Sequence, residues 1–270
     1  MSTDQRDDVV LCQIEDGVAL VTLNRPDRMN SWNSAMETRY FDVLDALDDD
    51  PDTRAIVVTG AGRAFCAGMD MDVLDKASRQ AVVVPDRIKR PMSHPLVVRK
   101  PLIAAINGGC AGIGLVQAIF CDLRFAASGI QIATAFTRRG LPAEFGSGWV
   151  LTRLVGPGNA MDLLLSGRKI AAEEALAMGL VNRVIPGEKL LSEALEYARM
   201  LAHECAPVAM AAIKAQLAAD WHRSHRESLD DAVAMVADPA RRVDFREGVS
   251  SYVEKRPPAF RPLPRRGEPL

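Results

Sequence analysis

Residues 100–122, KPLIAAINGGCAGIGLVQAIFCD, limit what this chain can fold into more than any other stretch. An apolar run rich in Ile and Ala reads as a buried strand that ends at Asn107. Gly108, Gly109, Gly112 and Gly114 crowd the turn that follows, and Gly68 lies in an earlier loop of similar make-up. The apolar segment 115–121 then reads as a buried helix. A strand that ends in glycines and opens a buried helix leaves backbone N–H groups free at the helix start. Such groups bind an anion, or an oxygen that becomes an anion during a reaction. The same glycines also serve tight turns and close helix packing, and their spacing alone does not choose between the two uses.

Around this stretch, strands and helices alternate. Residues 17–23, 55–59, 101–106, 123–127, 131–134 and 180–185 read as strands. Apolar residues at helical spacing mark 34–47, closed by Pro51, and helical stretches are expected at 148–155, 161–165 and 172–178. Residues 73–98 mix charges with Pro85, Pro91 and Pro95 and read as interrupted helix. Beyond residue 190 the pattern turns helical, over 190–203, 208–219, 228–237 and 241–255. The tail PPAFRPLPRRGEPL is too rich in proline for regular structure. The expected fold class is α/β, with a core over 1–200 and a helical region with tail over 201–270.

Composition excludes several functions. Lys plus Arg number 33 and Asp plus Glu 35, a net charge of −2, so nothing marks nucleic acid or an anionic membrane as the partner. Cys12, Cys66, Cys110, Cys121 and Cys205 are odd in number, irregularly spaced and without a CxxC pair, which reads as reduced thiols in a cytoplasmic chain. His94, His203, His222 and His225 form no HExxH, so no metal site is expected. The polar, acidic start MSTDQRDD does not read as a signal peptide. Asn107, Gln117 and the glycines break the longest apolar stretch, so no membrane span is expected.

Residues 60–71 (GAGRAFCAGMDM) form another loop of the same character: it follows a buried strand, is rich in small residues and precedes a helix. Two such loops on adjacent strands could each offer one N–H to a single oxygen. The stretch VVTGAGRAF also invites comparison with a dinucleotide-binding turn. That fit is poor, because Ala64 and Phe65 stand where the third glycine belongs and no strand ending in an acid follows about 20 residues later.

Together these segments resemble the crotonase superfamily, the enoyl-CoA hydratase/isomerase family, almost end to end. LNRPDRMNSWN is similar to its N-terminal CoA-contact loop, GAGRAFCAGMDM to its first oxyanion-hole loop, and AAINGGCAGIGLVQAIFCDLRFAA to its second. RRGLPAEFGSGWVLTRLVG, LLLSGRKIAAEEALAMGLVNRV and FREGVSSYVEKRPPAF resemble its later segments. The resemblance implies a spiral of ββα units closed by a C-terminal helical trimerisation region, acting as a homotrimer or dimer of trimers. It implies an acyl-CoA thioester as substrate, with no cofactor beyond the coenzyme A of that substrate. The backbone N–H groups of Met69 and Ile113 would polarise the thioester carbonyl and stabilise the enolate, each such donor contributing about 3–4 kcal/mol. Ala67 and Met71 line up with adenine contacts, Arg28 with a basic residue near the CoA phosphates, and Tyr252 and Lys255 with residues given by a neighbouring subunit. Gly68, Gly112, Val116 and Phe136 fall at the substrate pocket.

The carboxylates depart from the family's hydratases. Those enzymes use two glutamates, at the positions held here by Val116 and Phe136, and neither side chain transfers a proton. Glu144, in LPAEFGS, lines up with the glutamate of relatives that move a double bond. A carboxyl group in that apolar stretch is expected to have a raised pKa and to shuttle protons. Asp70 is expected to orient its own loop, since a carboxylate beside a forming enolate opposes it. The resemblance thus favours Δ3-to-Δ2 isomerisation over hydration, thioester hydrolysis or acyl-CoA binding without turnover.

Overall fold

The computed structural model describes residues 9–79, 90–237 and 242–268. Among them lie ten strands: β1 (Val10–Glu15), β2 (Val18–Leu23), β3 (Ala55–Gly60), β4 (Ala64–Cys66), β5 (Leu102–Ile106), β6 (Gly109–Ala111), β7 (Leu123–Ala127), β8 (Gln131–Ala133), β9 (Lys169–Ala171) and β10 (Arg183–Ile185). Nine α-helices are described: α1 (Ser34–Asp49), α2 (Met71–Arg79), α3 (Ile113–Ile119), α4 (Ser147–Ser166), α5 (Ala172–Ala177), α6 (Gly187–Glu204), α7 (Pro207–Asp220), α8 (His225–Ala237) and α9 (Arg242–Glu254). One sheet has the order β1-β2-β3-β5-β7-β10, the other β4-β6-β8-β9. After β3, β5 and β7 the chain steps each time into a short strand of the second sheet and then into a helix. This is the expected spiral of ββα units.

Side-chain alternation in the parallel strands explains the two layers. Ile56 and Val58 of β3, with Leu102, Ala104 and Ile106 of β5, face the larger core, which also holds Ile113, Val116, Val150 and Leu151. Ala55, Val57, Ile103 and Ala105 face the other way, onto α6. That helix meets them with Leu190, Ala194, Ala198 and Ala202, four residues apart on one face. The three alanines let the helix lie close to the sheet.

Several elements escape the sequence reading. β1 pairs antiparallel with β2 through a two-residue turn whose Asp16 (φ 52°) and Gly17 (φ 75°) are both left-handed. An Asp-Gly pair between apolar runs is the signal for that hairpin. β4, β6 and β9 have three residues each and lie inside loops, too short for a hydrophobic period to register. The helix expected to stop at residue 155 continues as α4 across a kink at Gly156 (φ 76°, ψ 163°), where Pro157 restarts it. Of the interrupted helix expected over 73–98, α2 and the 3-10 turn His94–Val97 are observed; residues 80–89, with Pro85, lie outside the described residues.

The described part of the tail, residues 257–268, carries no helix or strand, as expected, yet it is strapped to the core. Arg99 donates to Pro264 O at 2.8 Å, and Arg266 donates through Nε to Asp48 at 2.7 Å. Asp48 has a fully buried carboxylate that also accepts from Arg99 N at 2.7 Å and Arg99 Nε at 2.8 Å. Burial alone would push its pKa up, but these hydrogen bonds and charges hold it below the ordinary carboxylate range. Its contribution to stability is therefore present above the unfolded carboxylate pKa of about 3.9 and lost as pH falls through the lower folded value. Asp48→Ala takes a buried acceptor from two arginines, which keep Asp49 and Asp45 as partners; it is expected to cost about 2 kcal/mol, measured by denaturant unfolding at neutral pH. The difference from the unaltered chain should shrink in acid.

Candidate functional site

Asn107, at the end of β5, fastens the two glycine loops at their bases. Its side-chain amide donates to Gly60 O at 2.9 Å and Gly62 O at 3.0 Å, and its carbonyl oxygen accepts from Gly60 N at 3.0 Å. Above this clamp β4 and β6 pair in parallel, which carries residues 67–70 alongside residues 111–114. A Cβ added to Gly112 would lie 3.8 Å from Gly68 Cα, and one added to Gly68 would lie 3.4 Å from Ala111 O. The two loops therefore touch through glycines. Gly112 also has φ 52° and ψ −123°, a backbone region in which a side chain is strained.

The Met69 N–H is aimed by its neighbours. Trp32 and Met69 form an isolated parallel bridge, in which Trp32 N donates to Gly68 O at 2.8 Å and Asp70 N donates to Trp32 O at 2.9 Å. In a trans peptide the N–H lies opposite the C=O, so the Met69 N–H points away from Trp32. Ile113 is the first residue of α3, and its N–H has no carbonyl one turn earlier in the helix. Gly112 N is tied to Ala133 O at 3.1 Å, fixing this turn against β8. Neither the Met69 nor the Ile113 N–H donates to another described residue. Two unspent backbone donors, on loops that touch through Gly68 and Gly112, are the kind of groups an oxygen acquiring negative charge requires.

Val116 and Phe136 are both buried and apolar, in the same core cluster as Ile113. Phe136 follows Ala135, which is left-handed (φ 61°), just beyond β8. Glu144 stands three residues before α4, and its backbone O accepts from Ser147 N at 2.9 Å. Between them Phe145 (φ 59°) and Gly146 (φ 74°) are left-handed. A left-handed Phe costs on the order of 1–3 kcal/mol, and such strain collects at functional sites. The Glu144 side chain is half-buried and accepts no hydrogen bond from a described residue; burial raises its pKa above the ordinary value.

The remaining sequence candidates are spread more widely. Ala67 is exposed, and its N–H is spent on Met29 O at 3.0 Å. Met71, 61% exposed, opens α2. Arg28 ends a 3-10 turn on the same side and reaches Asp72 at 3.7 Å. Tyr252 is 85% exposed on α9 and Lys255 follows it in a left-handed conformation; their helix packs on the tail, with Phe260 beside Gly248. A network the sequence reading missed joins Arg25, Asn30, Ser31 and Asp70 beneath the first loop. Only Asp70 was legible, because its partners are brought to it by the fold. No group of three or more potential metal ligands occurs among the described residues, and no described helix is long and apolar enough to cross a membrane. The five cysteines carry free thiols, three of them buried.

Two sheets wound through ββα units, with two glycine loops abutting over a pair of open N–H groups, define a crotonase-fold protein. The chain belongs to the enoyl-CoA hydratase/isomerase family, whose family model matches residues 13–262. It is 34% identical over 263 residues to 1,2-epoxyphenylacetyl-CoA isomerase of Escherichia coli K12, covering 93% of this chain and 97% of that one. A crystal structure of the enoyl-CoA hydratase EchA12_1 from Mycobacterium marinum is 45% identical over 80% of this chain and all of that one, with TM-score 0.69. An enoyl-CoA hydratase from Polaromonas sp. JS666 superposes with TM-score 0.85 at 28% identity, covering 93% and 99% of the two chains. The chain is accordingly an enzyme of a family of lyases and isomerases.

Proposed function

We propose that this enzyme isomerises 3-enoyl-CoA thioesters to 2-enoyl-CoA thioesters with Glu144 as its single acid and base. The observation that carries this reading is the distribution of carboxyl groups. Buried Val116 and Phe136 occupy the two positions at which hydration would need glutamates, while Glu144 has an acid with a raised pKa. A hydratase must hold and split a water molecule between two such groups; a double-bond shift needs one.

The thioester carbonyl oxygen accepts from Met69 N–H and Ile113 N–H. The Glu144 carboxylate takes a proton from C2, and the electron pair moves into the carbonyl to give a dienolate. Protonated Glu144 returns a proton at C4, which leaves the double bond between C2 and C3. Val116, Phe136, Gly68 and Gly112 line the acyl pocket. Arg28 faces the CoA phosphates, and the backbone at Ala67 and Met71 meets the adenine; since Ala67 N–H is spent, its carbonyl is the group on offer. Tyr252 and Lys255 reach the CoA of a neighbouring subunit in a trimer, formed through the helical region in which Val236, Phe245 and Val253 are exposed. CoA enters as part of the substrate and no other cofactor takes part.

Proton NMR in D2O tests the reading. A 3-enoyl-CoA should lose its C3–C4 olefinic signals, gain C2–C3 signals and take up deuterium, while a 2-enoyl-CoA stays unhydrated on the same timescale. Fast hydration of the 2-enoyl thioester without any double-bond shift would refute it. The pH profile gives a second measure. Glu144 must start ionised, so kcat/KM falls as pH drops through its pKa. With that pKa raised by burial, the acid limb is expected above the ordinary glutamate value of about 4.3.

A further inference from the structure

Arg25 has no part in the proposed chemistry so far, yet both terminal nitrogens of its guanidinium are engaged. Nη1 donates to Ser31 O at 2.5 Å and lies 3.3 Å from Ser31 Oγ. Nη2 donates to Asp70 Oδ2 at 2.9 Å, in a pair that is largely buried. Ser31 Oγ donates to the same carboxylate oxygen at 3.2 Å, and Asp70 Oδ1 accepts from Asp72 N at 3.1 Å. Arg25 N donates to Asn30 Oδ1 at 2.8 Å, which closes the turn around the side chain.

The order of these contacts matters. Ser31 C=O and Trp32 N–H belong to one peptide group, and Gly68 C=O and Met69 N–H to another. Arg25 donates to the first carbonyl, Trp32 N–H to the second at 2.8 Å, and Met69 N–H is left pointing outward. Because each peptide is trans and planar, fixing its carbonyl fixes its N–H on the opposite side. A cation thus sits at one end of two aligned peptide dipoles whose other end is the Met69 N–H. Hydrogen bonds in such a chain polarise one another in the same direction.

We propose that Arg25 is a positioning residue for the Met69 N–H: through the Ser31–Trp32 and Gly68–Met69 peptides it aims and polarises that donor, and through Asp70 it neutralises the one carboxylate beside it. This rests on the reading of Met69 as an oxyanion donor. The Asp70 carboxyl follows Met69 directly in the chain, and unpaired it would oppose a forming enolate. With Arg25 on it, the loop keeps an acid that caps α2 without presenting net charge to the substrate.

Acetoacetyl-CoA is the probe, because its enolate absorbs in the near ultraviolet and its ionisation reports on whatever stabilises that oxygen. Spectral pH titration of the bound thioester should show enolate at lower pH than for the free thioester in the unaltered enzyme. Arg25→Gln should move that midpoint up by about one pH unit, a tenfold loss of enolate stabilisation, and lower kcat on a 3-enoyl-CoA by a similar factor with KM nearly unchanged. Arg25→Gln combined with Asp70→Asn holds no unpaired buried charge. It separates misfolding from loss of the relay, and it should retain part of the shift. If the unaltered enzyme binds acetoacetyl-CoA without favouring its enolate, the oxyanion reading itself is lost. If the unaltered enzyme favours the enolate and both variants titrate as it does, Arg25 has no such role and the oxyanion reading stands.

Discussion

Glu144→Gln removes isomerisation of a 3-enoyl-CoA, lowering kcat by roughly 10²- to 10⁴-fold, the usual contribution of a positioned acid or base. Glutamine fills the same space but neither takes a proton from C2 nor returns one at C4. The local fold should not change, since the turn before α4 is built on the backbone bond from Ser147 N to Glu144 O and not on the carboxylate. Affinity for the thioester should stay near that of the unaltered enzyme, because the proposed CoA contacts lie on the 28 and 67–71 segments. Single-turnover kinetics with a 3-enoyl-CoA, beside calorimetric binding of a saturated acyl-CoA, measure the two separately. Full activity in the variant would end the single-acid mechanism. Loss of binding together with turnover would show that the substitution had damaged the pocket.

Gly114→Ala is expected to lower stability by about 3 kcal/mol, near the upper end for overpacking, and to cut kcat by about 10²-fold as one of the two proposed oxyanion donors moves. A Cβ there would lie 2.3 Å from the Cys66 carbonyl oxygen and 2.7 Å from Cys66 Cβ. The carbonyl belongs to β4, so no side-chain rotation relieves the contact; α3 must shift away from the first loop. Ile113 N–H is one residue from the clash and moves with it. Gly109→Ala is the matched comparison. A Cβ at Gly109 meets nothing within 4 Å, so stability and turnover should remain close to those of the unaltered enzyme. Thermal unfolding and steady-state kinetics on the pair decide the matter. Equal behaviour of the two variants would mean that β4 and α3 are not packed as closely as described.

The contrast between those two glycines shows how far the sequence reaches. Both stand in NGGCAGIG, and nothing in the string marks one as compressed and the other as open. The strands carrying the loops were legible because runs such as AIVVT and LIAAI are buried on both faces and read as continuous apolar segments. The glycine turns were legible because few residues other than glycine tolerate such backbone. Family resemblance then assigned candidate roles to Met69, Ile113 and Glu144. The short strands β4, β6 and β9 were not legible, since each is three residues set within a stretch that reads as loop or helix start. The tail was read as irregular, but its attachment through Arg266 and Asp48 joins residues 218 positions apart.

By itself the sequence determined the alternation of strands and helices, the two small-residue loops and the apolar side chains at Val116 and Phe136. These are local properties, fixed by side-chain polarity, volume and backbone freedom. Tertiary structure alone decided that the loops abut through Gly68 and Gly112, that Asn107 clamps their bases, and that Arg25 stands behind the Met69 N–H. Those are relations between segments separated along the chain. Hydrogen-bond direction and close packing set them once the parallel strands are in register, and neither is written at any single position.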